Sequence, residues 1–215
     1  MKKFLRSCFF TAIVYVFLTI SLCYGVSAGL LRNRYVASTF FVARPHAIHH
    51  MVSWANKSIK TSPQIAALLG NRSITVSEKF LRHIFAAELK EFITPTGEIV
   101  YKLTGFHHAN EHYLHQMHIM LINKEMNLHT GVTKADVICN GHIEVNKVFF
   151  PFSWNRKKVV RKIGEALNHS IVKPTAESRG NAEFITVIGK TSENIVIKMV
   201  IDSAGNLITA FPFFT

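Results

Sequence analysis

Residues 132–150 read VTKADVICNGHIEVNKVFF and contain two runs of strand-forming residues, Val132–Cys139 and His142–Phe150. The dipeptide Asn140-Gly141 separates the two runs. An Asn-Gly pair in this position is a strong local indication of a β-hairpin, because both residues adopt the positive φ angles that a two-residue turn requires. This stretch therefore predicts two antiparallel strands joined by a tight turn.

Patterns on both sides of the hairpin predict helices and further strands. Ser62-Pro63 is typical of a helix start. Further helices are predicted from about Ser77 to Lys90, over residues 111–122 and from Asn155 onward. Further strands are predicted at Ile99–Leu103, Phe184–Ile188, Ile195–Ile201 and Leu207–Phe211. N-terminal helices followed by antiparallel sheets packed around a helix are typical of an α+β fold, not of alternating β-α units.

The first 28 residues differ from the rest of the chain. A positively charged leader, residues 1–6, precedes an uncharged and almost wholly apolar run, residues 7–24, and small residues follow at 26–28. This three-part pattern predicts a signal peptide over residues 1–28. An uncleaved anchor is the alternative, because the run approaches the roughly 18 residues that can span a bilayer. We expect a secreted or periplasmic protein with no stable membrane association after cleavage.

The remaining chain is expected to have two parts. Residues 29–75 contain few periodic patterns and predict an N-terminal helical or irregular segment. This segment could be a pro-segment, a delivery element or a helical support for the part that follows. Residues 76–215 carry most of the predicted strands and are expected to form the main domain.

Composition indicates a packed, basic protein. The chain has 215 residues, of which 48% are hydrophobic, and this content is too high for a disordered chain. Its formal charge is +12, which falls to +9 if the three cations of the leader are removed. An excess of this size favours polyanionic partners such as nucleic acid, an anionic membrane surface or an acidic protein. Cys139 is the one cysteine beyond the predicted signal peptide, so the mature chain is expected to lack an internal disulfide.

Twelve histidines are spread unevenly along the sequence, and they admit three interpretations. They could bind a metal, they could have no chemical role, or two of them could act together with a lysine on RNA. RNA carries its own nucleophile, the 2′-hydroxyl group. Two imidazoles can remove its proton and protonate the leaving oxygen because their pKa lies near neutrality, and a fixed cation can stabilise charge at phosphorus.

Four ordered motifs resemble those of the EndoU family of endoribonucleases. They are Arg82-His83-Ile84-Phe85, Thr104-Gly105-Phe106-His107-His108, the segment 146–154 (NKVFFPFSW) and the segment 202–212 (DSAGNLITAFP). Each motif is short, but all four stand in the family's order and together span about residues 80 to 215. The resemblance implies an EndoU-like catalytic domain.

The resemblance also implies roles for individual residues. His83 matches the first catalytic histidine, His107 the second and Lys147 the catalytic lysine. The segment that carries His107 would supply the base and the segment that carries His83 the acid. Ser153, Thr209, Phe211 and His108 are the expected substrate-binding residues, and His108 remains an alternative to His107 as the working histidine. Phe211 stands where the family usually has a tyrosine, so it keeps an aromatic face without the hydroxyl group.

The function implied is an exported RNA endonuclease that needs no metal and leaves 2′,3′-cyclic phosphate ends. No cofactor is expected, although some EndoU-like enzymes respond to manganese. Bacterial members of the family are often toxin domains, so a toxin or effector role is a further expectation. The expected partners are RNA and an acidic immunity or inhibitor protein.

Two alternative functions belong to other classes. The cations Lys157, Lys158, Arg161 and Lys162 follow one predicted helix and could bind RNA phosphates without cleavage, which would make the chain an exported RNA-binding module. The second alternative is a secreted zinc hydrolase that uses the histidines between His107 and His118.

Overall fold

The computed structural model describes residues 45–215, apart from residue 110 and residues 172–173 and 180–181. The predicted signal peptide, residues 1–28, lies outside the described residues, as does the beginning of the segment 29–75. Within the part of the chain that is described, no helix has the length and apolar character needed to cross a membrane.

The described chain contains five helices and nine strands arranged in three antiparallel sheets. The helices are α1 Pro45–Ser58, α2 Pro63–Leu68, α3 Glu78–Phe85, α4 Glu111–Gln116 and α5 Arg156–Asn168. The strands are β1 Ala87–Ile93, β2 Ile99–Gly105, β3 Ile119–Met126, β4 Thr133–Cys139, β5 His142–Phe149, β6 Thr175–Arg179, β7 Ala182–Lys190, β8 Val196–Asp202 and β9 Leu207–Pro212. The sheets have the strand orders β1-β2, β3-β4-β5 and β6-β7-β8-β9. The predicted α+β fold is confirmed.

The central hairpin forms as its sequence predicts. Asn140 and Gly141 both have positive φ angles, 51° and 79°, and Cys139 pairs directly with His142 across the turn. The inward side chains of β4 alternate with half-buried ones, and Cys139 is buried with 3% of its surface exposed. The hairpin thus supplies two strands of the β3-β4-β5 sheet and fixes the register of β5 against β4.

Helix α3 begins at a side-chain cap and ends just after the first site histidine. The Ser77 hydroxyl accepts a hydrogen bond from the Phe80 amide at 3.1 Å, which satisfies one of the free amides at the helix start. The spacing of its apolar residues buries one face of the helix. His83 lies in the last turn and is only partly covered.

Two predicted helices were too long. The helix predicted over residues 77–90 ends at Phe85, and β1 begins at Ala87. The helix predicted over residues 111–122 ends at Gln116, and β3 begins at Ile119. In both places antiparallel pairing with the next strand along the chain, β2 or β4, overrides the helical spacing of the local sequence. Helix α1 and strand β6 were not predicted.

Two hydrophobic clusters form the core. The larger one joins α1, α2, α3 and α5 to the inner face of the four-stranded sheet, and it includes Ile48, Ala55 and Ile65 from the segment 29–75. The smaller one lies beneath the β3-β4-β5 sheet and includes Phe106 and Phe149. Helix α3 belongs to the larger cluster, and the segment that follows β2 belongs to the smaller one. Residues of both clusters therefore flank His83 and His107.

Candidate active site

Main-chain hydrogen bonds hold the two candidate histidines side by side. The Phe106 amide donates to the His83 carbonyl at 2.7 Å, and the His107 amide donates to the Ile84 carbonyl at 2.8 Å. These bonds join the end of α3 to the segment after β2. They place the His83 and His107 rings with their centroids 5.6 Å apart and tilted by 53°.

Gly105 permits this close approach of the two segments. Its φ angle is +68°, and a Cβ atom added there would lie 2.3 Å from the carbonyl oxygen of His83. Any other residue would meet both a strained backbone conformation and a clash with main-chain atoms. The glycine of the Gly-Phe-His motif is therefore required by the spacing of the histidines.

Lys147 extends from β5 toward the two histidines and directly follows a β-bulge. The pairing of β4 with β5 shifts between Ala135 and Val137, and Asn146 adopts a positive φ of 55°. Bulges reorient the side chains that follow them. Lys147 is half-buried, and its ammonium group donates to the Leu103 carbonyl at 3.2 Å.

Asp136 holds this bulge in place. One carboxylate oxygen accepts from the Asn146 amide at 2.8 Å, and the other accepts from the Asn123 side-chain amide at 2.7 Å. Asn123 lies where β3 shifts register against β4 and also has a positive φ, 51°. A single carboxylate thus bonds to irregular positions on both neighbours of β4, one of them adjacent to Lys147.

Burial and neighbouring charges lower the pKa values of both histidines and of Lys147. Burial lowers the pKa of His107 to about 3, and the charges of Lys147 and His83 act in the same direction. Burial also lowers the pKa of His83, where Glu88 opposes the effect and Lys147 adds to it. Burial lowers the pKa of Lys147 to about 8, with Glu144 opposing it. Lys147 is therefore close enough to both rings for its charge to affect their titration.

Strand β9 completes the cluster. The Thr209 hydroxyl lies 3.1 Å from Nε2 of His83. The Phe211 ring stacks on the His107 ring with a centroid distance of 5.4 Å and an angle of 27°. Both residues are half-buried. Of the seven residues expected from the sequence, five come together: His83, His107, Lys147, Thr209 and Phe211.

The structure does not bring His108 or Ser153 to this cluster. His108 is 4% exposed, its Nε2 donates to the Trp154 carbonyl at 2.8 Å, and its ring meets Phe85 edge-on. Burial lowers the pKa of His108 to about 4. Ser153 is exposed in the turn between β5 and α5, and no contact found in the described chain links it to the cluster. The expectation that His108 could work in place of His107 conflicts with its position in the core.

The two alternative sites find little structural support. Among the residues that the structure describes, no three His, Cys, Asp or Glu side chains form a group able to hold a metal ion. On α5, the Lys162 side chain is 8% exposed and pairs with Glu165 at 2.7 Å and with Glu193, while Lys158 pairs with Glu193 at 3.4 Å. Two of the four cations proposed to bind phosphate are thus engaged within the protein.

The cluster thus combines two neighbouring imidazoles with a lysine whose charge lowers the pKa of both rings. Residues 77–213 match the family described as Bacterial EndoU nuclease. Because the match covers more than half of the chain, the chain belongs to this family of nucleases. Comparisons with curated proteins and with solved structures gave no match. The resemblance inferred from the four motifs is confirmed.

Two further residues that contact the cluster or its supports were missed by sequence reasoning. Asp136 lies in a strand that reads as ordinary alternating sequence, and its partners become visible only once the register of three strands is known. Phe213 follows the last motif directly, and its ring lies 6.3 Å from the Phe211 ring just beyond the end of β9. The sequence sign that could have found Phe213 is the alternation of Thr209, Phe211 and Phe213.

Proposed function

We propose that this protein is a metal-independent endoribonuclease in which His83, His107 and Lys147 act on one phosphodiester of RNA. The observation that carries the proposal is the convergence of two imidazoles, one ammonium group and an aromatic ring from α3, the segment after β2, β5 and β9. RNA fits such a site because its 2′-hydroxyl serves as the nucleophile, so the protein has only to move protons and stabilise charge.

His107 is the proposed general base. Its Nδ1 lies 3.4 Å from the Val148 carbonyl, which can only accept, so Nδ1 carries the proton and Nε2 has the free lone pair. Burial holds the pKa of His107 at about 3, so the ring is neutral at physiological pH, which is the protonation state that a base needs before it accepts the proton of the 2′-hydroxyl. The oxygen then forms a bond to phosphorus.

His83 is the proposed general acid. Burial lowers the pKa of His83 too, but the Glu88 carboxylate opposes this effect and no carboxylate in the described part of the chain does so at His107, so His83 is the ring proposed to carry the proton. It donates its proton to the 5′-oxygen as the bond from that oxygen to phosphorus breaks. The products are a 2′,3′-cyclic phosphate and a free 5′-hydroxyl group. Lys147 stabilises the negative charge that develops on the phosphate oxygens.

The cellular setting is a separate part of the proposal. We propose that residues 1–28 direct export, that the protein acts as a toxin or effector on RNA outside the producing compartment, and that an acidic inhibitor protein is its partner. The net positive charge supports both the RNA substrate and the acidic partner. No cofactor is proposed, and manganese would act only as a stimulant.

Incubation of the purified chain with mixed RNA in excess chelator tests the reaction class. Cleavage should proceed and leave cyclic phosphate ends, and His83→Ala or His107→Ala should each lower the rate by at least 100-fold, at the lower end of the usual loss for a proton-transfer group. Both variants should keep most of their affinity for RNA. His129→Ala, which changes an exposed histidine in the loop before β4, is the matched control and should cleave normally.

Three results would refute the proposal. Activity that disappears in chelator and returns with zinc would favour a metal hydrolase. Cleavage unaffected by His107→Ala would remove the proposed base. Tight RNA binding without cleavage by the unaltered chain would favour the binding module.

A further inference from the structure

The outer face of β9 carries a row of side chains that begins at the histidines and leads away from them. Alternate residues of a strand project to the same side, so Thr209, Phe211 and Phe213 share one face. Thr209 contacts His83, Phe211 stacks on His107, and the Phe213 ring lies 6.3 Å from the Phe211 ring. Phe213 is therefore the next aromatic surface beyond the site.

Phe213 is exposed although its main chain is held in place. Its amide donates to the Val196 carbonyl at 2.9 Å, which extends the pairing of β9 with β8 past Pro212. Its surface is 37% exposed, whereas the neighbouring Pro212 is buried. An aromatic ring on a fixed backbone loses little conformational freedom when a planar group stacks on it.

A cation accompanies these rings. Lys198 on β8 pairs directly with Phe211, and directly opposed residues of antiparallel strands project to the same face. In the part of the chain that is described, no ion pair involves Lys198. Stacking rings combined with an available cation are the features that bind single-stranded nucleic acid.

We propose that Phe213 and Lys198 form a second nucleotide subsite, in which a base of the RNA stacks on Phe213 and a phosphate lies beside Lys198. This inference rests on the proposed function. Phe211 adjoins His107, so the nucleotide that carries the attacking 2′-hydroxyl lies nearest to Phe211. The subsite beyond it then takes the neighbouring nucleotide on the 5′ side, away from the leaving group.

Short substrates test the subsite. The values of kcat/KM are compared for a dinucleotide, for the same dinucleotide with one extra nucleotide at its 5′ end, and for one extended at its 3′ end. The 5′ extension should raise kcat/KM by about 5- to 100-fold, which corresponds to stacking of one base. The 3′ extension should give a smaller gain.

Variants of Phe213 separate stacking from general packing. Phe213→Ala and Phe213→Leu should both remove the gain from 5′ extension, whereas Phe213→Trp should keep it. Phe92→Ala is the matched control, because Phe92 is a similarly exposed phenylalanine on β1, and it should keep the full gain. Lys198→Met should reduce the salt dependence of binding by about one phosphate contact.

A binding measurement keeps the subsite testable if no cleavage is found. A trinucleotide with a 2′-deoxy sugar at the attacking position cannot be cut, and Phe213→Ala should weaken its binding by a factor similar to the lost gain. Equal binding by the unaltered protein and Phe213→Ala would overturn the subsite, as would an equal gain with Phe213→Leu. Binding that depends on Phe213 without any cleavage would overturn the proposed reaction and support the subsite.

Discussion

Replacement of Gly105 by alanine should damage stability and the site together. The φ angle of +68° costs an ordinary L-residue about 1–2 kcal/mol. The added Cβ would also meet the His83 carbonyl oxygen at 2.3 Å, so the two segments must separate. Separation stretches or breaks the bond from the Phe106 amide, and an unsatisfied buried amide costs about 1–3 kcal/mol. We expect a loss of about 2–5 kcal/mol in the free energy of unfolding.

The matched control is Gly97→Ala in the turn between β1 and β2. Gly97 also has a positive φ, +83°, but a Cβ atom there would find nothing within 4 Å. Its cost should be limited to about 1–2 kcal/mol of backbone strain. Comparison of the two variants therefore isolates the contact with the His83 carbonyl.

Activity gives a second measurement of the same perturbation. A displacement of about 1 Å between His83 and His107 should lower kcat by about 100-fold, because proton transfer depends steeply on geometry. Urea unfolding gives the stability, and RNA cleavage under fully folded conditions gives kcat. The reasoning fails if Gly105→Ala matches Gly97→Ala in both measurements.

Two further predictions concern the pH dependence of cleavage and the support of Lys147 by Asp136. The value of kcat/KM should be highest above the pKa of His107, about 3, and below the pKa of His83, which burial lowers from its ordinary value, since the base must be neutral and the acid protonated. The rate should fall above the pKa of His83 and fall more steeply above about pH 8, where Lys147 loses its proton. Lys147→Arg should remove only this second fall in rate. An optimum above pH 8 would contradict the assignment. Asp136→Asn should loosen the bulge at Asn146 and so displace Lys147, which should lower kcat about 10-fold with little change in KM. It should also shift the change in slope of the pH profile near pH 8. An unchanged pH profile would argue against a positioning role for Asp136.

Elements that depend on residues close together in the sequence were predicted well. The turn at Asn140-Gly141 depends on two adjacent residues that favour positive φ, and the cap at Ser77 depends on a side chain three residues from its partner. Such features form in the same way wherever the sequence occurs. The corresponding strands and helix start were therefore placed within a residue or two.

Elements whose structure depends on a partner segment were predicted less well. Residues 87–90 continue the apolar spacing of helix α3, and it is the pairing with the next strand, β2, that makes them part of strand β1. Helix α1 is buried by α3 and α5, which lie far away in the sequence. Where two patterns compete, tertiary pairing decides, and a single sequence does not reveal the partner.

The candidate site shows the same division. The resemblance to a family located His83, His107 and Lys147, whereas neither periodicity nor composition would have brought them together. The sequence did not show which of the adjacent histidines, His107 or His108, faces the cluster. Neighbouring side chains in an extended segment point in different directions, and the fold decides which of them is buried. The structure turns one imidazole toward Phe211 and the other into the core.

The hydrogen bonds from Phe106 to His83 and from His107 to Ile84 involve main-chain atoms alone. Amide and carbonyl groups are the same in every residue, so most side-chain substitutions around the two rings leave this spacing untouched. Under the proposed function, the surrounding side chains could then change to suit a different RNA while the rings keep their separation. Such an arrangement would let one scaffold acquire new targets without a change in its two histidines.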